Sequence, residues 1–471
     1  MTYPRFYTQL FTALLFVFLF GRGSAHAAVQ NPILSGEMPA FGDVEGFVLS
    51  PDGRYAVYRA DSRTDNAIEL FSAPTDGSTP PVPLTNLLPA DTAVGFLLGV
   101  TDTHVVYMAE QDTLGQDELY SVPITGGTIT KLNGALPLGG QVYSFVLSPS
   151  QTHVVYRANQ DTFTLSELYS VSLTGGEPIK LNAPLLAAGV GQNVQFSKDG
   201  QDVYYLARQD SATQLEFYKV PVGGGSSTKL NGALVSGGNV SIFYFNFDGS
   251  AVAYWADQDT DNKIELYSVI GGTVTKLNGL LVAGGNVEGV WPSPTTNHLV
   301  YKADQQTDGV SELYKVSFTG GAVTKLNAPL VGNAKIGFPK YSSDGNTVVF
   351  TVALDGNSFN AIYAIPAVGG TAVLLTPPTT TFLNGLPLIS ADSQTVLYSA
   401  NQDNPTQFEL YRVPITGGTT TKLNPPLANG EGVTYATFSL DQQNVLYLAT
   451  QESDNQSDFY RVSLAGGTPP S

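Results

Sequence analysis

Apolar positions in this chain fall in short runs separated by polar turns, and the clearest instance occupies residues 244–280. Segment one ends in the turn Asn246-Phe247-Asp248-Gly249. Segment two, residues 251–256, carries an aromatic at Tyr254. A polar turn over 257–263 leads to segment three, residues 264–270, and Gly271-Gly272 turns the chain into segment four, residues 273–277. Short runs rich in Val, Tyr, Phe, Thr and Leu, bounded by Gly, Asp, Asn and Pro, read as β-strands. Asp-Gly and Gly-Gly between them signal hairpins, because both supply positive φ at little steric cost. No stretch after residue 27 has a helical period.

The unit repeats. A Glu-Leu-Tyr triplet opens segment three, and its aromatic falls at Phe71, Tyr120, Tyr169, Tyr218, Tyr267, Tyr314, Tyr363, Tyr411 and Tyr460, at spacings of 47 to 49. A second aromatic marks segment two at Tyr58, Tyr107, Tyr156, Tyr205, Tyr254, Tyr301, Phe350, Tyr398 and Tyr447. Two independent markers in one register give nine copies. One four-stranded antiparallel sheet per period is the pattern of a β-propeller, in which radial stacking buries both faces of each sheet. The expected fold is all-β: a single closed β-propeller of nine four-stranded blade repeats. Propellers typically have about four to eight blades, so eight plus an irregular end is the alternative.

The first 27 residues stand outside the repeat. Arg5 precedes an apolar run of 11 at residues 10–20, and Ala25-His26-Ala27 is a small-residue cleavage site. That is the pattern of a secretory signal peptide, too short for a comfortable membrane span, with an uncleaved anchor as the alternative. The expected protein is therefore exported, periplasmic or extracellular, with no membrane span after cleavage. Asn31-Pro32-Ile33-Leu34 resembles fourth segments such as Asn424-Pro425-Pro426-Leu427, while the ninth copy has none of its own. Residues 28–42 are accordingly expected to supply the closing strand, with residues 28–471 forming one propeller and no further domain.

Composition narrows the partners. Charged residues are 13% of the chain, and 22 basic against 40 acidic residues give a net charge of −18. Removing the leader loses Arg5 and Arg22 and no acid. Such a balance argues against nucleic acid and anionic membranes, which need a basic patch. Cys 0 rules out a disulfide framework and a lipoprotein anchor.

The turn after segment one is Ser50-Pro51-Asp52-Gly53 in the first copy, and its Asp recurs as Asp102, Asp199, Asp248, Asp344, Asp392 and Asp441. With a strand before it and an aromatic-bearing strand after it, this turn resembles the TolB-like, WD-repeat-like propellers of bacterial periplasmic and secreted proteins. The resemblance covers about residues 44–467 and implies the fold. It implies segment one as the innermost strand of each blade. The intact turn occurs once, and no TolB-type N-terminal domain precedes it, so a Tol-system role is not carried over.

Candidate chemistry is sparse. His104, His153 and His298 occupy one repeat slot, three residues before the segment-two aromatic, and read as polar residues leaving a turn. Only His104 and His153, in neighbouring copies, could share a metal. Asp257, Asp259 and Asp261 alternate along one turn, a spacing that can wrap a calcium ion. Ser268 stands where a calcium-hand loop ends in a bidentate Glu, and plain turn chemistry is the competing reading. The triplet Glu (Glu69, Glu118, Glu167, Glu216, Glu265, Glu312, Glu409) and the segment-four Lys (Lys131, Lys180, Lys229, Lys276, Lys325, Lys422) suggest a structural charge ladder on the outer strands, of modest energy where exposed. Copy seven replaces both with Ala361 and Leu374. There is no Gly-x-Ser-x-Gly elbow. Some propellers precede an α/β-hydrolase peptidase domain, but the ninth copy reaches Ser471, so none is expected.

Near-identical linking loops, such as residues 231–239 and 278–286, suggest a broad, mildly acidic ring. An enzyme site needs converging residues that differ from the repeat. The expected function is a monomeric, non-catalytic scaffold binding a protein or glycan partner, with no cofactor beyond the calcium. The alternative is a propeller enzyme, a hydrolase or lyase acting on polysaccharide.

Overall fold

The structure is a computed structural model that describes residues 44–465, apart from 65–66, 89–91, 96, 331, 378–381, 428–431, 440 and 451–457. The expected leader, the closing strand at 28–42 and Gly466-Gly467 lie outside the described residues.

Nine antiparallel sheets coincide with the nine copies, and no helix is present among the described residues. Two compact units divide the chain at Lys229 and Leu230, with four sheets in the first and five in the second. Strands follow chain order in each sheet, so segments one and four form the edges, except in the ninth sheet, whose three described strands leave segment three at an edge. The fifth sheet is Val240–Phe245, Val252–Ala256, Glu265–Ile270 and Thr273–Lys276. Segment four is shorter than the pattern predicts in most copies. In the second sheet Tyr120 pairs with Lys131 and Ser121 with Thr130, after which Leu132 donates its N–H to Leu119 O and the chain leaves. Such short outer edges offer little to a foreign strand.

The two marker aromatics lie directly opposite each other in every sheet. Tyr107 faces Tyr120, and Tyr254 faces Tyr267. Their rings stack at 5.5 and 5.4 Å, a contact worth about 1 kcal/mol beyond simple burial. Because side chains alternate along a strand, the neighbouring residues point the other way. In the first unit Val106, Leu119 and Leu132 of the second sheet meet Tyr156 and Tyr169 of the third. In the second unit Val300, Leu313 and Leu326 of the sixth sheet meet Phe350 of the seventh. Each sheet thus turns an aromatic face to its predecessor and an aliphatic face to its successor within each unit. Every fully buried Val, Leu or Phe contributes about 1.5–3 kcal/mol.

Two irregularities interrupt the repeat. The first strand of the seventh sheet is split into Lys335–Ile336 and Lys340–Tyr341 by Gly337-Phe338-Pro339. Proline supplies no ladder donor, which breaks the edge there. In five sheets the first strand carries a β-bulge near its start, at residues 45, 143, 241, 288 and 434.

Candidate functional site

The carboxylates of the Glu–Lys ladder are buried, while its lysines stay 23–39% exposed. Glu118, Glu167, Glu216, Glu265, Glu312 and Glu409 are all at most 5% exposed. In the fifth sheet Lys276 Nζ reaches Glu265 Oε1 at 2.6 Å and Asp259 Oδ2 at 3.1 Å, while Tyr267 donates its hydroxyl to Glu265 Oε2 at 3.1 Å. Lys229 with Glu216 and Lys422 with Glu409 repeat this at 2.8 Å. Lys131 and Lys180 do the same with Glu118 and Glu167. The first copy lacks the Lys, and Arg63 from the preceding turn takes its place on Glu69 at 2.6 Å. Burial alone lowers the Lys276 ammonium, but its bonds to Glu265 and Asp259 outweigh that and hold it above the ordinary lysine value. Burial, then the charge of Glu265, pushes the Tyr267 hydroxyl well up. These clusters are fully partnered and recur, so they hold sheets together rather than act on a substrate.

The candidate calcium ligands take three separate tasks. Asp257 accepts main-chain N–H groups from Asn239 at 2.5 Å and Asn262 at 3.2 Å, tying the linking loop to the following turn. Asp259 binds Lys276. Asp261 accepts from Asn262 Nδ2 at 2.9 Å. Asn159 and Asn401 occupy the Asp257 slot in other copies and accept from Gln141 and Phe382 in the same way. An amide does the first of these jobs as well as a carboxylate, but its Nδ2 then donates to Phe163 O or Pro405 O where Asp257 accepts the Asn262 N–H, so the two residue types hold different turns. Among the described residues no group of three His, Asp or Glu side chains is arranged to hold a metal. A shallow cleft of about 360 Å³ beside this turn is lined by residues 260–263 and 283–285.

His104 and His153 bond the hydroxyls of the preceding Thr103 and Thr152 through Nδ1 at 3.0 Å. Burial lowers the pKa of His104 and of His298. Each of the three stands at the start of a second strand.

Where the copies differ is the bulge. A bulge re-aims one side chain out of the ladder, and bulges concentrate near functional sites. The five re-aimed residues are Glu45, Tyr143, Ser241, Glu288 and Thr434. Two share a local motif, Val44-Glu45-Gly46 in the first unit and Val287-Glu288-Gly289 in the second. Both acids are 38% exposed and both are backed by a cation from the paired strand. Arg59 lies 3.2 Å from Glu45, and Lys302 lies 3.0 Å from Glu288. Ser311 Oγ also donates to Glu288 at 2.7 Å. Lys302 donates onward to Ile336 O at 3.4 Å, at the split strand of the seventh sheet. There Phe338 is 59% exposed and meets Trp291 edge-on at 6.4 Å. Gly289 leaves room for the Trp291 ring, into which any side chain at 289 would run. Each Glu can thus accept hydrogen bonds from a ligand while its cation stays fixed. The sequence pattern missed this set. The repeated Val-Glu-Gly was its signal.

The family model for the dipeptidyl peptidase IV N-terminal region matches residues 331–453, which are most of the seventh to ninth copies. No curated protein sequence matches the chain. Among solved structures, Porphyromonas gingivalis dipeptidyl peptidase 4 is similar with a TM-score of 0.51 and 12% identity, over 77% of this chain and 57% of that one. A TolB structure from Agrobacterium tumefaciens gives 0.32 and 19%, over 52% of this chain and 83% of that one. A puromycin hydrolase gives 0.39 and 16%, over 79% and 60%. This chain therefore spans under two thirds of the length of the peptidase and the hydrolase. The likeness to dipeptidyl peptidase 4 carries the fold alone. The TolB-like resemblance read from the Ser-Pro-Asp-Gly turn missed the dipeptidyl peptidase IV link. The family match to a peptidase region overturns both the non-catalytic scaffold and its polysaccharide-acting alternative.

Proposed function

We propose that this chain is a peptidase-related β-propeller that admits peptide chains and positions them for hydrolysis. What supports the reading is the match of residues 331–453 to the dipeptidyl peptidase IV N-terminal region. One fold hosts many functions, so the substrate contacts must come from a site. The bulged edge of the sixth sheet is that site, with Glu288–Lys302 as its charged point and Trp291 with Phe338 as its apolar one. The Glu288 carboxylate accepts N–H groups of an extended peptide. The proposal assigns the chain substrate admission and positioning, not the atoms that break the bond.

The test is photo-crosslinking of the full chain with a peptide library carrying a photoreactive group. Labelling concentrated on residues around 288, 291 and 338, and competed by unlabelled peptide, is the expected result. Labelling spread over the fourth segments, or not competed, overturns it.

The same proposal includes a nine-bladed ring closed by residues 28–42, and export after removal of residues 1–27. It draws on the nine sheets and on the leader pattern. No helix among the described residues is long and apolar enough to cross a membrane. Sequencing the amino terminus of exported protein checks the leader. A mature form beginning at Met1 contradicts it.

A further inference from the structure

The described residues contain four Asn-Gly steps, at Asn133, Asn231, Asn278 and Asn384. Asn-Gly is the dipeptide most prone to deamidation, since glycine lets its own main-chain nitrogen approach the preceding side chain unhindered. Whether it happens in a folded protein depends on what holds the two residues.

Three of the steps are locked. Asn133, Asn231 and Asn278 follow segment four and are 6–8% exposed. Asn133 and Asn278 accept the N–H of Leu119 and of Leu266 at 2.7 Å. All three donate from Nδ2 to the carbonyl of the following glycine at 2.8–2.9 Å. The attacking nitrogen is engaged as well. Gly134 N donates to Gln160 at 2.8 Å, and Gly232 N and Gly279 N donate to Tyr254 and Tyr301 at 3.2 Å.

Asn384 differs in its exposure and in the glycine that follows it. It lies in the link between the seventh and eighth sheets and is exposed. Gly385 adopts φ +81°, and a side chain placed there would meet nothing within 4 Å. Asn384 makes one side-chain hydrogen bond, from Nδ2 to Val433 O at 3.1 Å.

We propose that Asn384 is a covalent modification site that deamidates through a succinimide in the folded protein while Asn133, Asn231 and Asn278 persist. The deprotonated Gly385 nitrogen attacks Asn384 Cγ. The N–Cγ bond forms, the Cγ–Nδ2 bond breaks, and Nδ2 leaves as ammonia with a proton from water. Water then opens the ring at either carbonyl, giving aspartate or isoaspartate, so the net change is amide plus water to acid plus ammonia. The product loses the donor to Val433 O and sets a carboxylate against that carbonyl. The modification therefore loosens the tie between the link at residue 384 and the first strand of the ninth sheet, Val433–Phe438.

Peptide mapping by mass spectrometry tests this on the full folded chain aged in mildly alkaline buffer, with isoaspartyl methyltransferase labelling to identify isoaspartate. Conversion at 384 at least about tenfold faster than at the other three is expected, a margin equal to about 1.4 kcal/mol of local opening. In denaturant all four should convert at similar rates. Equal rates in the folded chain overturn the proposal, as does no conversion at 384 while denatured chain converts. So does the same preference for 384 in denaturant, which would make the selectivity one of sequence and not of fold.

Discussion

Tyr267 donates its hydroxyl to Glu265 two residues earlier on the same strand, at 3.1 Å. The bond places a buried carboxylate beneath a stacked aromatic pair, and Lys276 neutralises it from the adjoining strand. Glu265→Ala takes an acceptor from Tyr267 and from Lys276, which keeps Asp259, and should cost about 2 kcal/mol of unfolding free energy, the range of a hydrogen bond to a charged group. Copy seven contains the apolar version, Ala361 with Leu374. The double variant Glu265→Ala with Lys276→Leu should therefore lose less than Glu265→Ala alone, because replacing both members of a buried pair is cheaper than orphaning one. Denaturant unfolding of the three proteins measures it.

The same clusters predict alkaline unfolding. Lys180, Lys229, Lys276 and Lys422 all sit above the ordinary value of 10.5: burial opposes this, and their hydrogen bonds to Glu and Asp outweigh it. Burial pushes Tyr58 and Tyr205 from 10.0 up to about 12. A raised folded-state pKa gives stability that is whole below the unfolded value and is lost as pH rises through the folded one. Melting temperature should thus hold up to about pH 10 and fall steeply above it. Tyrosine ionisation, followed by ultraviolet absorbance, should coincide with unfolding. Ionisation at the ordinary pH in a chain still folded would contradict this.

Asp257 separates a loop clamp from a calcium site. Asp257→Asn should keep the bond from Asn239 and lose the one from Asn262, so it should cost less than Asp257→Ala, which should cost about 1–2 kcal/mol for the unsatisfied N–H groups. A clamp predicts no change in melting temperature with EDTA. A calcium site predicts a fall that Asp259→Ala abolishes.

The sheets were legible because their markers are local. Tyr254, Tyr267 and Gly271-Gly272 each specify a strand or turn by residue type, and the structure pairs them as their spacing predicts. The bulges were not, because the extra residue at Glu45 or Glu288 exists only relative to a partner strand. The burial of Glu265 was hidden for a similar reason. A Glu in an alternating strand reads the same whether its face meets water or the next sheet. The peptidase link falls in residues 331–453, where copy seven has lost the Glu–Lys pair and split its first strand.

Glu288 should act on peptide affinity without acting on the fold. Its carboxylate is 38% exposed, so Glu288→Gln should leave the unfolding free energy within about 0.5 kcal/mol of the parent. Peptide crosslinking near residue 288 should fall several-fold. Lys302→Met, which frees Glu288 and Ile336 O, should destabilise more.

The most direct measurement is competition between peptide and glycan for the full chain, with photo-crosslinking of the peptide read by mass spectrometry. A peptidase-related propeller is labelled by peptide near residue 288, loses that labelling to unlabelled peptide and not to glycan, and loses most of it in Glu288→Gln. No competable peptide labelling, or labelling displaced by glycan in its place, would contradict it.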